Sequence, residues 1–266
     1  MKLVSAILTV FNEKILYLQE CIRGILCQSY KNIELIIVDD STDKNTIDYL
    51  TNIAGSDARI KYIHNKEKLG FVKSLNKGLS CAKGDYIARV DSDDIQRIDR
   101  FEKQTAFLDA HPEIGIVGSL FEKIDERGKV LGIRRYSELP ESITKQMTIK
   151  NAVAHPTVMI RREVLACTGF YDESFPKAED YELWMRALRK GIKIANINEP
   201  LVKYRISDIV KRDNTNWKYN LRVKLRYFAF DRYILQRMTG VAAVGLMVIL
   251  PSFAKRFLYS MYNRMV

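Results

Sequence analysis

Residues 33–40, IELIIVDD, are apolar on both alternating faces except at Glu34, and they end in two carboxylates. A strand of that kind must be covered on both sides, which is the situation of a strand inside a parallel sheet. The segments around it keep the same rhythm. Leu3–Val10 is an apolar strand, and Glu13–Cys27 places Ile15, Leu18, Ile22, Ile25 and Leu26 at helical spacing. After it come a helix over Thr46–Ile53, the strand RIKYIH, a helix over Phe71–Cys81, the strand Tyr86–Val90 and a helix over Arg97–Ala110. The order βαβαβαβ predicts a doubly covered, mostly parallel sheet with right-handed crossovers, a Rossmann-like α/β arrangement.

The second half reads less regularly. GIVGSLFEKI and KVLGIRR flank the turn DERG and predict a hairpin; HPTVMIRREVL predicts a strand running into a short helix. AEDYELWMRALRKG predicts a helix with an acidic start, closed by Gly191, and IKIANI predicts another strand.

In such sheets ligands bind beyond the C-terminal ends of the strands. The polar residues after the strands are Thr9, Asn12 and Glu13, then Asp39 and Asp40, then Asp91, Ser92, Asp93 and Asp94. Three carboxylates within four positions repel one another and raise one another's pKa unless a counter-charge is present. Hard Mg²⁺ or Mn²⁺ is the direct remedy, and such an ion can also hold a diphosphate. The competing reading is a solvated acidic loop that caps a helix.

Composition narrows the class. The chain has 266 residues and a net charge of +11. From Leu201 onward 13 Lys and Arg stand against three acids, whereas the preceding 200 residues are close to neutral. Cys21, Cys27, Cys81 and Cys167 form no CxxC pair and are expected to be buried, reduced thiols. The apolar start MKLVSAILTV is broken by Asn12 and Glu13, so it is read as a strand rather than a signal peptide.

Taken together, ILTVFNE, IELIIVDDSTD, NKEKLGFVKSLNKGLSCAKGDYIARVDSDDI, HPTVMIRREVL, GFYDESF and AEDYELWMR resemble, in order, the family 2 inverting glycosyltransferases of the GT-A fold. The likeness covers residues 1–205, with a nucleotide-sugar half over 1–110 and an acceptor half over 111–205. It implies a UDP-sugar pocket lined by Thr9, Phe11, Asn12 and Glu13, with Phe11 near the base. The family often has Tyr at that position. Asp40, and secondarily Asp39, would face the uracil edge; for both, capping of the strand end is the alternative. Lys68, Gly70 and Lys73 match a loop that closes on the phosphates. Asp91-Ser92-Asp93-Asp94 matches the metal motif, with Asp93 as main ligand of Mn²⁺ or Mg²⁺, Asp91 and Asp94 assisting, and Ser92 on the nucleotide-sugar side. Glu179 and Asp180 match the catalytic acidic pair. Asp180 would be the base and Glu179 would orient the acceptor, although an acidic first turn is also what a helix dipole favours. His155 and Arg186 are expected on the acceptor or phosphate side.

The end of the chain adds a membrane expectation. Between Arg237 and Lys255 lie 17 uncharged residues, flanked by cations and aromatics. A spanning helix needs about 20 apolar residues. Residues 206–266 are therefore expected to form a basic, apolar helical extension on or partly in the bilayer surface; the alternative is a helix pair packed on the catalytic domain. Together with the resemblance, this predicts a peripheral or monotopic enzyme at the cytoplasmic face of the inner membrane. Its acceptor would be a lipid-linked glycan destined for O-antigen, capsule or exopolysaccharide. Nucleic acid is not expected as a partner, because the cations interleave with a long apolar run. A nucleotidyltransferase would need a Gly-rich, basic signature where TVFNEK stands. A non-catalytic protein of the same fold is the remaining alternative.

Overall fold

The alternation of apolar positions along the first two strands divides the core between two layers of helices. Val4, Ala6, Leu8 and Val10 of β1 (Val4–Val10) join Leu35 and Ile37 of β2 (Ile33–Asp39) in one buried cluster. Helices α1 (Ile15–Leu26), α2 (Lys44–Ser56) and α4 (Arg100–Ala110) cover that face through Leu18, Ile22, Leu50, Phe101 and Leu108. The intervening Ile7, Ile36 and Val38 point to the opposite cluster, where α3 (Phe71–Cys81) packs through Val72, Leu75 and Leu79. Two-residue periodicity thus sends one strand's side chains into both layers.

The computed structural model describes residues 1–206, 214–251 and 254–255. Its sheet has nine strands. β3 (Ile60–His64), β2, β1 and β4 (Tyr86–Val90) lie side by side and parallel. Beyond β4 the sheet becomes mixed. β8 (Met159–Arg161) pairs antiparallel with β4 and with β6 (Ile114–Ile124), and β6 runs parallel to β9 (Lys193–Arg205). β5 (Ile95–Gln96) closes that edge on β9, and β7 (Val130–Arg134) forms the expected hairpin with β6. The hairpin turn is held by Asp125, whose Oδ1 accepts from Arg127 N and Lys129 N at 2.9 Å each. The sheet is therefore continuous across position 110.

Three elements go beyond the sequence expectation. α5 (Pro140–Met147) and β5 had no periodic signature, and β9 runs far past IKIANI, through Pro200, with register shifts opposite Ser119 and Leu120. α6 (Arg162–Thr168) and α7 (Glu179–Arg189) follow as expected. Of the four cysteines only Cys21 is buried; Cys27 and Cys167 are exposed, which corrects the expectation for them.

The C-terminal extension contains α8 (Asn214–Arg226) and α9 (Ile234–Ile249). Val223 and Tyr227 join the core cluster that also holds Ile143, Tyr181 and Trp184. Gly240 and Val244 are the buried positions of α9. The helix pair therefore packs on the α/β body, as the alternative reading anticipated. Among the described residues no helix is long and apolar enough to cross a membrane. Lys211, Arg212, Arg256 and Arg264, counted above among the basic residues, lie outside the described residues.

Candidate active site

β1, β2, β3 and β4 run parallel, so the segments that follow them meet on one edge. The Asp91 loop follows β4 there. Ligand oxygens of Asp91, Asp93 and Asp94 all lie within 4.8 Å of one another. Burial, then Asp91 and Glu13, push the Asp93 carboxyl up to about 7; burial, Asp91 and Asp93 push Asp94 well above the carboxylate range. Asp94 is fully buried, with Oδ1 accepting from Arg205 N at 2.9 Å and Oδ2 without a hydrogen-bond partner. An orphaned carboxylate oxygen in a crowded acidic cluster fits a hard divalent cation. Glu13 joins the same cluster, its Oε2 accepting from Ser92 Oγ at 3.1 Å.

The nucleotide-side residues differ in how far their groups are engaged. Thr9 is half-buried near the end of β1. Phe11 is 46% exposed, and Lys68 Nζ sits 3.4 Å from its ring centroid, so the loop lysine already covers one face. Asn12 has a left-handed backbone, φ 49°, and its Oδ1 accepts from Thr42 N and Asp43 N at 2.8 and 2.9 Å. That amide oxygen ties down the loop after β2. Asp39 is buried and accepts from Ser41 N, Tyr62 Oη and His64 Nδ1. Asp40 accepts from Asn65 Nδ2 (2.6 Å), Leu69 N (3.3 Å), Gly70 N (2.8 Å) and Ser74 Oγ (3.0 Å). Both carboxylates are thus engaged by protein donors, and a base edge would have to share them. Gly70, with φ 84°, starts α3, on which Lys73 is exposed.

The acidic pair opens α7. Ala178 precedes it with φ 58°; with Asn12 it makes up the non-glycine residues of positive φ among those described. A left-handed alanine costs about 1–2 kcal/mol, and strain of this kind gathers at functional sites. Asp180 Oδ2 accepts from Asn151 Nδ2 at 2.7 Å. Burial and then Asp180 push Glu179 up to about 8, which favours its protonated form at neutral pH. His155 is buried beneath Glu179, with Nδ1 3.8 Å from Oε1 and Nε2 2.7 Å from Tyr171 Oη. Burial, then Arg89, hold His155 well below the usual imidazole range, so it is neutral. Its place is under the acidic pair rather than open to an acceptor. The terminal nitrogens of Arg186 donate to Thr168 O, Phe170 O and Glu182 Oε2, which engages the guanidinium with the 168–170 loop.

The link between the two acidic groups is Arg89, which sequence reasoning missed. It is buried on β4 and ion-paired with Asp91; it lies 5.4 Å from the Phe71 ring centroid, and that ring packs edge-on against His155. Burial works against its charge, but Asp91 outweighs burial and keeps it cationic. An arginine in the otherwise apolar YIARV was the available signal. Arg205 was missed too; it holds the aspartate loop through Asp93 O at 2.9 Å as well as Asp94.

Residues 5–169 match the profile of Glycosyl transferase family 2. The chain belongs to that family. The chain is 36% identical over 213 residues to an uncharacterized glycosyltransferase of Haemophilus influenzae, covering 77% of this chain and 65% of the relative, so it spans just under two thirds of that protein. It is 27% identical over 262 residues to the amylovoran biosynthesis glycosyltransferase AmsE of Erwinia amylovora, covering 92% of this chain and 97% of AmsE. Its fold is that of S. aureus TarS 1–349 in complex with UDP-GlcNAc, at TM-score 0.71 and 18% identity over 93% of this chain and 73% of that one. The mannosyltransferase PcManGT from Pyrobaculum calidifontis, in complex with GDP-Man and Mn²⁺, superposes at TM-score 0.65 and 15% identity over 98% of this chain and 79% of its own. The chain therefore has the GT-A architecture, with a C-terminal helical extension.

Proposed function

We propose that this transferase moves a hexose or N-acetylhexosamine from a UDP-sugar to a polyprenyl-diphosphate-linked glycan with inversion, in the synthesis of a bacterial surface polysaccharide. The observation that carries the reading is one buried cation common to both acidic groups: Arg89 pairs with Asp91 of the cluster, and its charge also acts on Glu179 and, past the Phe71 ring, on His155. The UDP-GlcNAc bound by TarS and the amylovoran pathway of AmsE support the donor and product classes.

Asp91, Asp93 and Asp94 would hold Mn²⁺ or Mg²⁺, which when bound supplies positive charge to the departing diphosphate. Asp180 takes the proton of the acceptor hydroxyl as that oxygen forms its bond to the anomeric carbon. The bond from that carbon to the UDP oxygen breaks on the opposite side, and its electron pair leaves with UDP. Asn151 Nδ2 holds Asp180 Oδ2 and Tyr181 N holds Oδ1, both at 2.7 Å, so the whole carboxylate is oriented. Glu179, held towards its protonated form, is a hydrogen-bond donor for the acceptor.

The membrane reading rests on α9. Leu235, Met238, Leu246 and Ile249 are exposed, with Ile249 at 83%. Sixteen residues span about 24 Å, short of the roughly 30 Å hydrocarbon core. An apolar helix face within a basic extension suits an anionic bilayer surface at the cytoplasmic side, where lipid-linked acceptors reside.

The test is UDP release from a panel of UDP-sugars with a lipid-linked acceptor and Mn²⁺. Acceptor-dependent release abolished by a chelator and by Asp180→Asn is expected. Undiminished turnover by Asp180→Asn would remove the base assignment.

A further inference from the structure

The C-terminal extension lies beyond residue 169, where the family match ends, yet it reaches the first turn of α7 with buried polar groups. Lys224 of α8 is 5% exposed, and its Nζ donates to Thr148 O at 3.1 Å, Ile149 O at 2.7 Å and Tyr181 Oη at 3.0 Å. Tyr181 gives its own hydrogen to Met147 O at 2.5 Å, so it accepts from Lys224. Three acceptors match the three hydrogens of an ammonium. The two carbonyls belong to residues just past the C-terminal end of α5, where the helix dipole favours a cation. Burial and then Arg237 pull Lys224 down to about 8, which leaves it charged at neutral pH.

Two further contacts bear on the same place. Tyr227 Oη donates to Glu182 Oε1 at 2.5 Å, and Glu182 is fully buried on α7. Gly240 of α9 lies over the lysine: a Cβ there would collide with Thr148 O and come within 3.1 Å of Lys224 Nζ. The segment held in this way runs straight to Asn151, which grips Asp180. A methionine could fill the space of Lys224 without the desolvation cost of a buried ammonium. Packing alone therefore does not account for a lysine; the acceptors it organises do.

We propose that the C-terminal helix pair is part of the catalytic apparatus, with Lys224 and Tyr227 as positioning residues that fix Asp180 through segment 147–151 and the first turn of α7. The proposal rests on the reading of Asp180 as the base. Positioning of this kind acts on turnover rather than on donor binding, because the hydrogen bonds of Lys224 and Tyr227 run to 148–149, Tyr181 and Glu182 and not to the nucleotide-side residues or the aspartate cluster.

The experiment uses the full chain with Lys224→Met and, separately, Tyr227→Phe. Hydrogen exchange is followed at 147–153 and 179–183, alongside steady-state kinetics and UDP binding with Mn²⁺. In Lys224→Met, exchange at both segments should rise about tenfold or more, the loss expected when hydrogen bonds from a charged group are removed. kcat should fall by a similar factor, while donor KM and UDP affinity stay within about twofold. Tyr227→Phe, which removes one oxygen and leaves no cavity, should raise exchange at 179–183, where its partner Glu182 lies, and lower kcat more weakly; it carries the test if Lys224→Met does not fold. Wild-type exchange at 147–153 in folded Lys224→Met, wild-type exchange at 179–183 in Tyr227→Phe, or wild-type kcat overturns the proposal. So does a rise in exchange spread evenly over β1–β4. Turnover by Asp180→Asn is read separately: if it stays normal, the base assignment fails, whereas the exchange result alone decides whether the clamp exists.

Discussion

Asp40→Asn separates two roles that one carboxylate could fill. The sequence reading puts Asp40 at the base edge of the donor; the structure engages both its oxygens with donors from the 65–70 loop and Ser74. Asparagine keeps the shape but replaces one oxygen by an NH₂. With the nitrogen on the Oδ2 side, Ser74 can rotate to accept, but Gly70 N–H is fixed and loses its partner. The loss of one bond to a charged acceptor, with a donor left unsatisfied, costs about 2–3 kcal/mol. At roughly 2–4 °C per kcal/mol for a chain of this size, the melting temperature should drop by about 5–10 °C. Burial alone would raise the Asp40 pKa; its four hydrogen bonds outweigh that and hold it below the usual value. Its contribution is therefore present above the unfolded carboxyl pKa and lost as pH falls through the lower, folded one. The gap between wild type and variant should be constant near neutrality and close on acidification. Scanning fluorimetry across pH, exchange at 65–71 and UDP titration together check this. A variant with wild-type melting and exchange but weakened UDP binding would refute the anchoring role and favour the base edge.

Three further outcomes follow from the site. Arg89→Met removes the cation between Asp91 and Glu179 and should destabilise the protein by about 3 kcal/mol, the low end for breaking a buried pair because Asp91 is partly exposed; unchanged thermal unfolding would contradict it. Asp93 is raised to about 7, so its own contribution to the stability of the metal-free protein should fall as pH rises from about 4 to 7, by at most about 1.4 kcal/mol per pH unit, with Asp94 and Glu179 adding to the slope. Asp93→Asn should lessen that slope and abolish the Mn²⁺ response, and an unaltered slope would sink the assignment. Leu246→Glu with Ile249→Glu should weaken sedimentation with anionic vesicles about tenfold or more, given roughly 1.5–3 kcal/mol for burying each apolar side chain; equal binding would exclude α9 as the contact.

Local pattern carried much of this protein. The strands β1, β2 and β4, the helices α1, α3 and α7, and the DERG hairpin could be read because each element's burial repeats along its own residues. The acidic cluster was legible for the same reason, since its members stand within four positions. What the tertiary structure alone decided is pairing between distant groups. Arg89 gains its meaning from Asp91 and the distant His155, and Asn151 from Asp180, 29 residues on. Arg186 meets the carbonyls of the 168–170 loop, and Lys224 is buried because α5 ends where α8 passes. A hydrogen bond across the fold leaves no periodic trace in the chain, so only the packed molecule reveals which polar residue meets which.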